Sequence, residues 1–398
     1  MIKKLIINTP QGKSGILTKE SRFSFSYSDG DRNKEISLMM PIRSESYSST
    51  NLLPVFESYR PEGFLLEKLT KRLLKFGRVD DMQILSVVGD NGIGRLKFSK
   101  EGTENTKENK APSIKEILKS GRSQELFDHL VDVYIGSGIS GVQPKVLIPE
   151  ILSGAIIQPS VIVKATPIEY PNLSKNEFLC MAVAKVANLD VPDEFWLSDD
   201  GLLFVVSRFD IIKKDDKFIQ LGFEDLCQLM GKTSIGKYEG SYENVVKALH
   251  LYCGENSASA TSKFFWYLVA SILMRNGDAH LKNFGLLYEN PRISKPYISP
   301  LYDVTTTSIY SIGGSGFKDQ TMSLKLSGDH RYPSKDALIR FGREKCHVSN
   351  PESVITEISE SMIHCAKEYC DIFDKKFASK FFSEWRDSLK TFGIRWDY

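Results

Sequence analysis

The stretch that most constrains this chain is an apolar run, Phe264 to Met274, that stops abruptly at the polar segment Arg275-Asn-Gly-Asp-Ala-His-Leu-Lys-Asn283. The run falls well short of the roughly 20 residues needed to span a bilayer, so it reads as a buried helix inside Ser262–Arg275, and no membrane insertion is expected. A chain of 398 residues exceeds the usual domain size of about 150, so two or three units are expected. Hydrophobic residues at 41% and charged residues at 26% are ordinary globular usage, which excludes a disordered or collagen-like chain. Lysine and arginine total 52 against 50 acidic residues, a formal charge of +2. That balance removes the electrostatic argument for direct nucleic-acid binding.

The six cysteines show no Cys-x-x-Cys pair and no zinc-type spacing. Sparse thiols suit a reducing cytoplasm, and Cys365 and Cys370, within a helical pattern, read as core packing. Met1-Ile-Lys-Lys-Leu-Ile-Ile has too few apolar residues for a signal peptide. These features point to the cytosol, and they leave export as an effector open.

Along the chain, Gln11-Gly12 predicts a hairpin turn, and Phe23, Phe25 and Tyr27 alternate with serines as a half-buried strand does. Helical spacing follows from Phe64. The polar stretch Ser99 to Pro112 lacks large apolar residues and reads as a linker. Strand-like runs at Lys145–Pro149, Ser160–Lys164 and Leu202–Ser207 mix with helical ones at Leu126–Tyr134 and Ser174–Ala187. From Pro351 the pattern is helical, with Ile355, Ile358, Met362, Cys365 and Tyr369 on one face. Early strands and late helices indicate an α+β fold.

Three pieces carry chemistry. Gly136-Ser-Gly138-Ile-Ser-Gly141 is a G-x-G-x-x-G, read either as a tight turn or as a phosphate loop. A dinucleotide site is not favoured, because a helical run precedes it and no acid follows at the required spacing. Val161-Ile-Val-Lys164 places a lysine at the end of a strand, where kinases hold nucleotide phosphates and pair the lysine with a helix glutamate. Glu177 is the candidate partner, and it also completes a capping box with Ser174. The third piece is Asp278-x4-Asn283, the spacing of a kinase catalytic loop. The aspartate would deprotonate an acceptor hydroxyl, and the asparagine would reach Mg²⁺. Asp303, twenty residues on in Pro300-Leu-Tyr-Asp303, is suited to be a second metal ligand, although an Asp beside a turn is often only a turn residue. Glycine loop, strand lysine, helix glutamate, Asp-x4-Asn and a lone Asp are the ordered parts that phosphoryl transfer needs.

Ile139-Ser-Gly-Val-Gln-Pro-Lys145, Asn276 to Leu286 and Pro300-Leu-Tyr-Asp303 together resemble the HipA-like serine/threonine kinases of bacterial toxin–antitoxin systems. Ser207-Arg-Phe-Asp210, Glu224-Asp-Leu-Cys-Gln228, Met40-Pro-Ile-Arg43, Arg60-Pro-Glu-Gly63 and Gly92-Ile-Gly-Arg-Leu-Lys-Phe98 extend the likeness over nearly the whole chain. The resemblance implies a protein-kinase-like bilobal fold. A β-rich N-terminal subdomain would cover 1–100, a kinase N-lobe 101–210, and an all-helical or mostly helical C-lobe 211–398. It further implies ATP and Mg²⁺ as cofactors, Asp278 as catalytic base, and Asn283 and Asp303 as metal ligands. His280 and Lys282 would line the phosphate site, and Lys164 would contact the nucleotide. Ser207, Arg208 and Phe209 would form the adenine hinge through backbone groups.

The implied biology is growth arrest by phosphorylation of a protein such as an aminoacyl-tRNA synthetase, with a small helix-turn-helix antitoxin as partner. Gly138 stands where family members often carry a regulatory serine. Ser137 and Ser140 flank it as candidate autophosphorylation sites, since a phosphate there would add about −1.5 to −2 charge where ATP phosphates sit. The rival readings are an aminoglycoside-type small-molecule phosphotransferase and a nucleotide-binding module with weak chemistry.

Overall fold

The structure, a computed structural model, describes residues 2–89, 91–102, 112–119, 121–134, 143–148, 151–153, 156–158, 160–214, 217–311 and 320–396. Gly136, Ser137, Gly138, Ser140 and Gly141 lie outside the described residues, as does most of the proposed linker. The chain divides into two compact units. The first joins Met1–Pro167, Glu194–Ser234 and Leu286–Pro296, and the second joins Ile168–Asp193, Ile235–Gly285 and Tyr297–Tyr398.

In the first unit, strands Lys4–Thr9 and Gly12–Lys19 form the hairpin expected at Gln11-Gly12. Gly12 has φ +105°, a left-handed value that glycine alone adopts without strain. Phe23–Tyr27 and Tyr47–Ser49 extend that sheet antiparallel on one side, and Lys97–Ser99 closes the other. The alternation of Phe23 and Phe25 with serines puts both rings into a core shared with Leu5, Ile7, Phe56 and Phe98. Full burial of one such ring stabilises by about 1.5–3 kcal/mol.

A second, four-stranded sheet runs in the order Phe195–Leu197, Leu203–Ser207, Val161–Ala165, Lys145–Ile148, all antiparallel. Two polar clusters tie the later segments of this unit to its first hundred residues. Arg208 grips Asp210 through two nitrogens, Nε to Oδ1 at 2.9 Å and Nη2 to Oδ2 at 2.6 Å, and also donates to the Gly92 carbonyl at 2.7 Å. Asp210 in turn accepts from the Gly94 N–H at 2.7 Å. Glu224, fully buried, accepts from Ser37 Oγ, the Leu38 N–H, Gln228 Nε2 and the Tyr288 hydroxyl. Farther along, Arg292 pairs with buried Glu35, and Asn290 donates to the Asn33 carbonyl. The quoted pieces Ser207–Asp210 and Gly92–Phe98 therefore meet in space.

The second unit is largely helical. The run that opened the sequence reading is helix Ser257–Leu273, whose Phe264, Phe265, Leu268, Val269, Ile272 and Leu273 are all buried. Burial on nearly every side marks it as a central helix. Leu173–Val186, Tyr242–Cys253, Lys335–Glu344, Pro351–Glu368 and Lys375–Thr391 are the other long helices. Helix Pro351–Glu368 starts with Asn350 as cap and Pro at its first position, and Ile355, Ile358, Met362 and Cys365 face inward as expected. Cys370 is exposed, because the helix has ended before it. A hairpin of Thr321–Leu326 and Asp329–Arg331 adds strand structure to this unit. No described helix is long and apolar enough to cross a membrane.

Candidate active site

The second unit carries the polar loop. Helix Ser257–Leu273 ends, Arg275 turns the chain at φ +56°, and its guanidinium lies over the Tyr332 ring at 4.5 Å. The Asn276 N–H returns to the Ser271 carbonyl at 2.8 Å. Gly277 is held at both ends: its N–H donates to Thr307 Oγ1 at 2.7 Å, and its carbonyl accepts from Ser323 Oγ at 2.6 Å. A Cβ on this residue would stand 2.6 Å from the Thr321 carbonyl oxygen, so only glycine fits.

Asp278 is exposed, and its Oδ1 accepts the Tyr238 hydroxyl at 3.1 Å. His280 is buried with its ring edge-on to Tyr238 at 5.2 Å. Burial pushes its imidazole down to about 3, with Lys237 and Lys282 adding in the same direction and Asp303 opposing. His280 is therefore neutral at physiological pH. Its Nδ1 is buried without a hydrogen-bond partner among the described residues, the state of a polar atom that a bound ligand would satisfy. Asn283 Oδ1 accepts the His280 N–H at 3.0 Å, which fixes the amide plane and leaves the oxygen a second lone pair. The Lys282 carbonyl accepts the Tyr302 hydroxyl at 2.6 Å.

Asp303 adopts φ +59°, a left-handed conformation that Asp tolerates better than most residues. The segment after it is pinned. Asn176 bonds both backbone groups of Thr306, accepting its N–H at 2.8 Å and donating to its carbonyl at 3.0 Å. Trp385 Nε1 donates to the Thr306 hydroxyl at 2.8 Å. Asp278, His280, Lys282, Asn283 and Asp303 thus belong to one unit, with the charge of Asp303 felt at His280.

Glu177 also lies in this unit and is buried. Its capping-box reading fails. The helix begins at Leu173 with Asn172 as cap at φ +61°, so Ser174 is already inside it.

In the first unit, Lys164 is buried in its strand, and the antiparallel register sets Lys145 directly across from it on the same sheet face. Lys145, quoted for the resemblance but given no role, is thereby a second candidate phosphate contact. Ser207 ends the neighbouring strand and Arg208 follows it. The Ser207 N–H donates to the Glu194 carbonyl at 2.9 Å, and the Arg208 N–H to the Ser160 carbonyl at 3.2 Å. Arg208's side chain serves the Asp210 pair, and Phe209 packs edge-on against Phe223 at 5.3 Å.

The two oxygens expected to hold a metal are the amide oxygen of Asn283 and the carboxylate of Asp303. Among the described residues, no group of three or more His, Cys, Asp or Glu could hold a metal ion. Two oxygens fit Mg²⁺, which keeps most of its shell for water and phosphate oxygens.

Comparison with known proteins matches residues 5–99 to the HipA N-terminal domain and residues 137–369 to the HipA-like C-terminal domain. A Haemophilus influenzae protein, named provisionally as a kinase, is 31% identical over 190 residues, covering 44% of this chain and 54% of that protein. Two Sinorhizobium fredii proteins named in the same way are also similar. Y4dM is 32% identical over 45% of this chain and 44% of its own length. Y4mE is 25% identical over 72% of each. The chain thus spans about half the length of the first two of these relatives. Among solved structures, Shewanella oneidensis HipA, from its complex with HipB and operator DNA, superposes with a TM-score of 0.73. That likeness holds at 18% identity over 97% of this chain and 96% of HipA, and it shows that the fold is the kinase-like fold of HipA. With more than half of its length matched by the C-terminal domain and the N-terminal domain in place ahead of it, the chain belongs to the HipA-like family.

Proposed function

We propose that this protein is an ATP- and Mg²⁺-dependent serine/threonine protein kinase of the HipA kind. The carrying observation is the loop Asn276–Asn283, which presents an exposed Asp278 from a buried helix with its flanking glycine clamped on both sides. In this reading Asp278 accepts the proton of the attacking hydroxyl. Asn283 and Asp303 would hold Mg²⁺, which when bound neutralises charge on the phosphate oxygens. Lys164, with Lys145 beside it, would take the phosphates of the nucleotide, and neutral His280 would satisfy its Nδ1 on a phosphate oxygen. The hinge Ser207–Phe209 would meet the adenine through backbone atoms. Ser137 or Ser140 would be the autophosphorylation site. Catalysis would come mainly from alignment and charge placement, since phosphoryl transfer asks little covalent help.

The match to both HipA domains supports a toxin that arrests growth by phosphorylating a translation protein such as an aminoacyl-tRNA synthetase. The Shewanella complex supports an antitoxin of the HipB kind as partner, through which DNA would be reached. Incubation with γ-labelled ATP and Mg²⁺, beside Asp278→Asn and Asp303→Asn, tests this. Label should pass to protein in the wild type and be lost in both variants. Equal transfer by all three would refute the mechanism, and growth arrest that survives both substitutions would refute the toxin.

A further inference from the structure

A groove of about 490 Å³ opens beside the polar loop, walled by Tyr238, Glu239, Ser241, Asn244, Lys325 and His330. Two separate contacts tie its surroundings to the polar loop, one to Asp278 and one to Gly277. Tyr238, 47% exposed on the groove wall, donates its hydroxyl to Asp278 Oδ1 at 3.1 Å. Elsewhere on the wall, strand Thr321–Leu326 turns Ser323 and Lys325 to the same face, following its period of two. Ser323 holds the Gly277 carbonyl at 2.6 Å, while Lys325 lines the groove. The wall elements are themselves joined, since the Lys325 N–H donates to the Gly240 carbonyl at 3.3 Å. The groove and the aspartate are thus parts of one braced structure.

We propose that this groove is the acceptor-docking site, and that Tyr238 is a positioning residue that aims Asp278 at a hydroxyl delivered through it. This rests on the kinase reading and deepens it by naming the side from which the acceptor enters. The occupant is a polar, extended polypeptide segment bearing serine or threonine. The walls offer two hydroxyls, an amide, an imidazole and charges of both signs with one phenol ring, which suits a peptide better than an apolar small molecule. The volume falls in the range of about 300–1,000 Å³ typical of ligand clefts. In the step served, the acceptor hydroxyl gives its proton to Asp278 and its oxygen bonds to the γ-phosphorus. The bond from that phosphorus to the β–γ bridging oxygen breaks, and ADP leaves with the electron pair. Holding Oδ1 with the Tyr238 hydroxyl fixes the carboxylate's rotation before the acceptor arrives.

The test uses the full chain with γ-labelled ATP and two acceptors, the chain itself and dephosphorylated casein. Tyr238→Phe, which removes one oxygen, should lower kcat about tenfold, the usual scale for a hydrogen bond to a charged group. It should leave the KM for ATP and the melting temperature in place. Lys325→Trp, and independently Asn244→Trp, should plug the groove and cut transfer at sub-saturating acceptor at least tenfold. Tyr238→Phe with kcat within twofold of wild type would overturn the positioning role. Unchanged transfer in both tryptophan variants would overturn the groove. A wild type inactive on both acceptors would remove the kinase reading and this proposal with it, whereas an active wild type with unaltered variants removes this proposal alone.

Discussion

Gly277→Ala tests the most tightly built point of the site with a single methyl group. Its Cβ would lie 2.6 Å from the Thr321 carbonyl oxygen and 3.1 Å from Thr307 Oγ1. The first distance is about 0.8 Å short of ordinary contact. The obstructing atom is backbone, in a strand that also grips Gly277 through Ser323, so it cannot rotate away as a side-chain end could. Either the strand or the loop must move, and the hydrogen bonds on the Gly277 N–H and carbonyl stretch with it. Overpacking of this sort costs about 1–3 kcal/mol, and one hydrogen bond lost adds about 1 kcal/mol. A displacement near 1 Å next to Asp278 would lower phosphoryl transfer about 10²-fold. Urea unfolding at constant m-value gives the first quantity, and transfer from γ-labelled ATP gives the second. Gly30→Ala, whose methyl meets nothing within 4 Å, is the control and should match wild type. A Gly277→Ala protein within 0.5 kcal/mol and twofold of wild type, by the same scale of about 1–3 kcal/mol, would refute the steric reasoning.

Three further outcomes follow from the same coordinates. Asp278→Asn should abolish transfer while shifting the urea midpoint little, because the side chain is exposed, and a large loss of stability would contradict that placement. Between the folded value of about 3 and the unfolded value near 6.5, unfolded His280 binds more protons than the folded residue. Stability should therefore fall as pH drops through that window, by up to about 1.4 kcal/mol per unit from this group. His280→Gln should flatten the dependence measured at pH 7, 6 and 5, and an unchanged slope would assign it elsewhere. Glu224→Ala should cost about 3 kcal/mol or more, since the Leu38 N–H and the Gln228 amide lose their shared acceptor in a buried site. Glu224→Gln should cost less than half as much in the same unfolding assay, because its oxygen can still accept from Leu38 while its amide donates to the Ser37 hydroxyl.

Local pattern made some of this readable before any coordinates. The alternation through Phe23–Tyr27 and the buried face of Pro351–Glu368 are periodicities, and each side chain went where its period sent it. Asp278 and Asn283 are five residues apart on one loop, so their spacing survives whatever the rest of the chain does. What stayed hidden depends on distant partners. Tyr238 reaches Asp278 across 40 positions, and nothing near either residue announces the other. Lys145 gains meaning only from the register that sets it against Lys164. Arg208 was expected in a hinge through its backbone, and nothing near it in the sequence announced that its guanidinium is committed to Asp210 and Gly92. At Ser174 a four-residue motif suggested a helix start, but Asn172 in a left-handed conformation began the helix earlier. Sequence shows spacing within an element well; it does not show which element packs against which.

The first unit is closed by residues far apart in the chain, and this governs when it can form on the ribosome. Glu35 is buried against Arg292, and the Asn33 carbonyl is met by Asn290, so the partners of an early loop are synthesised 257 positions later. At about 5–20 residues per second, that gap is a wait of tens of seconds or less, during which a carboxylate destined for burial must stay in water. Loop Asn276–Asn283 leaves the exit tunnel before Arg292 does. The unit that holds Lys164 therefore completes itself only after the loop Asn276–Asn283 has been made, so a nascent chain stalled short of residue 292 carries Asp278 while the first unit is still unfinished. Synthesis order thus delays completion of the first unit until Arg292 has emerged.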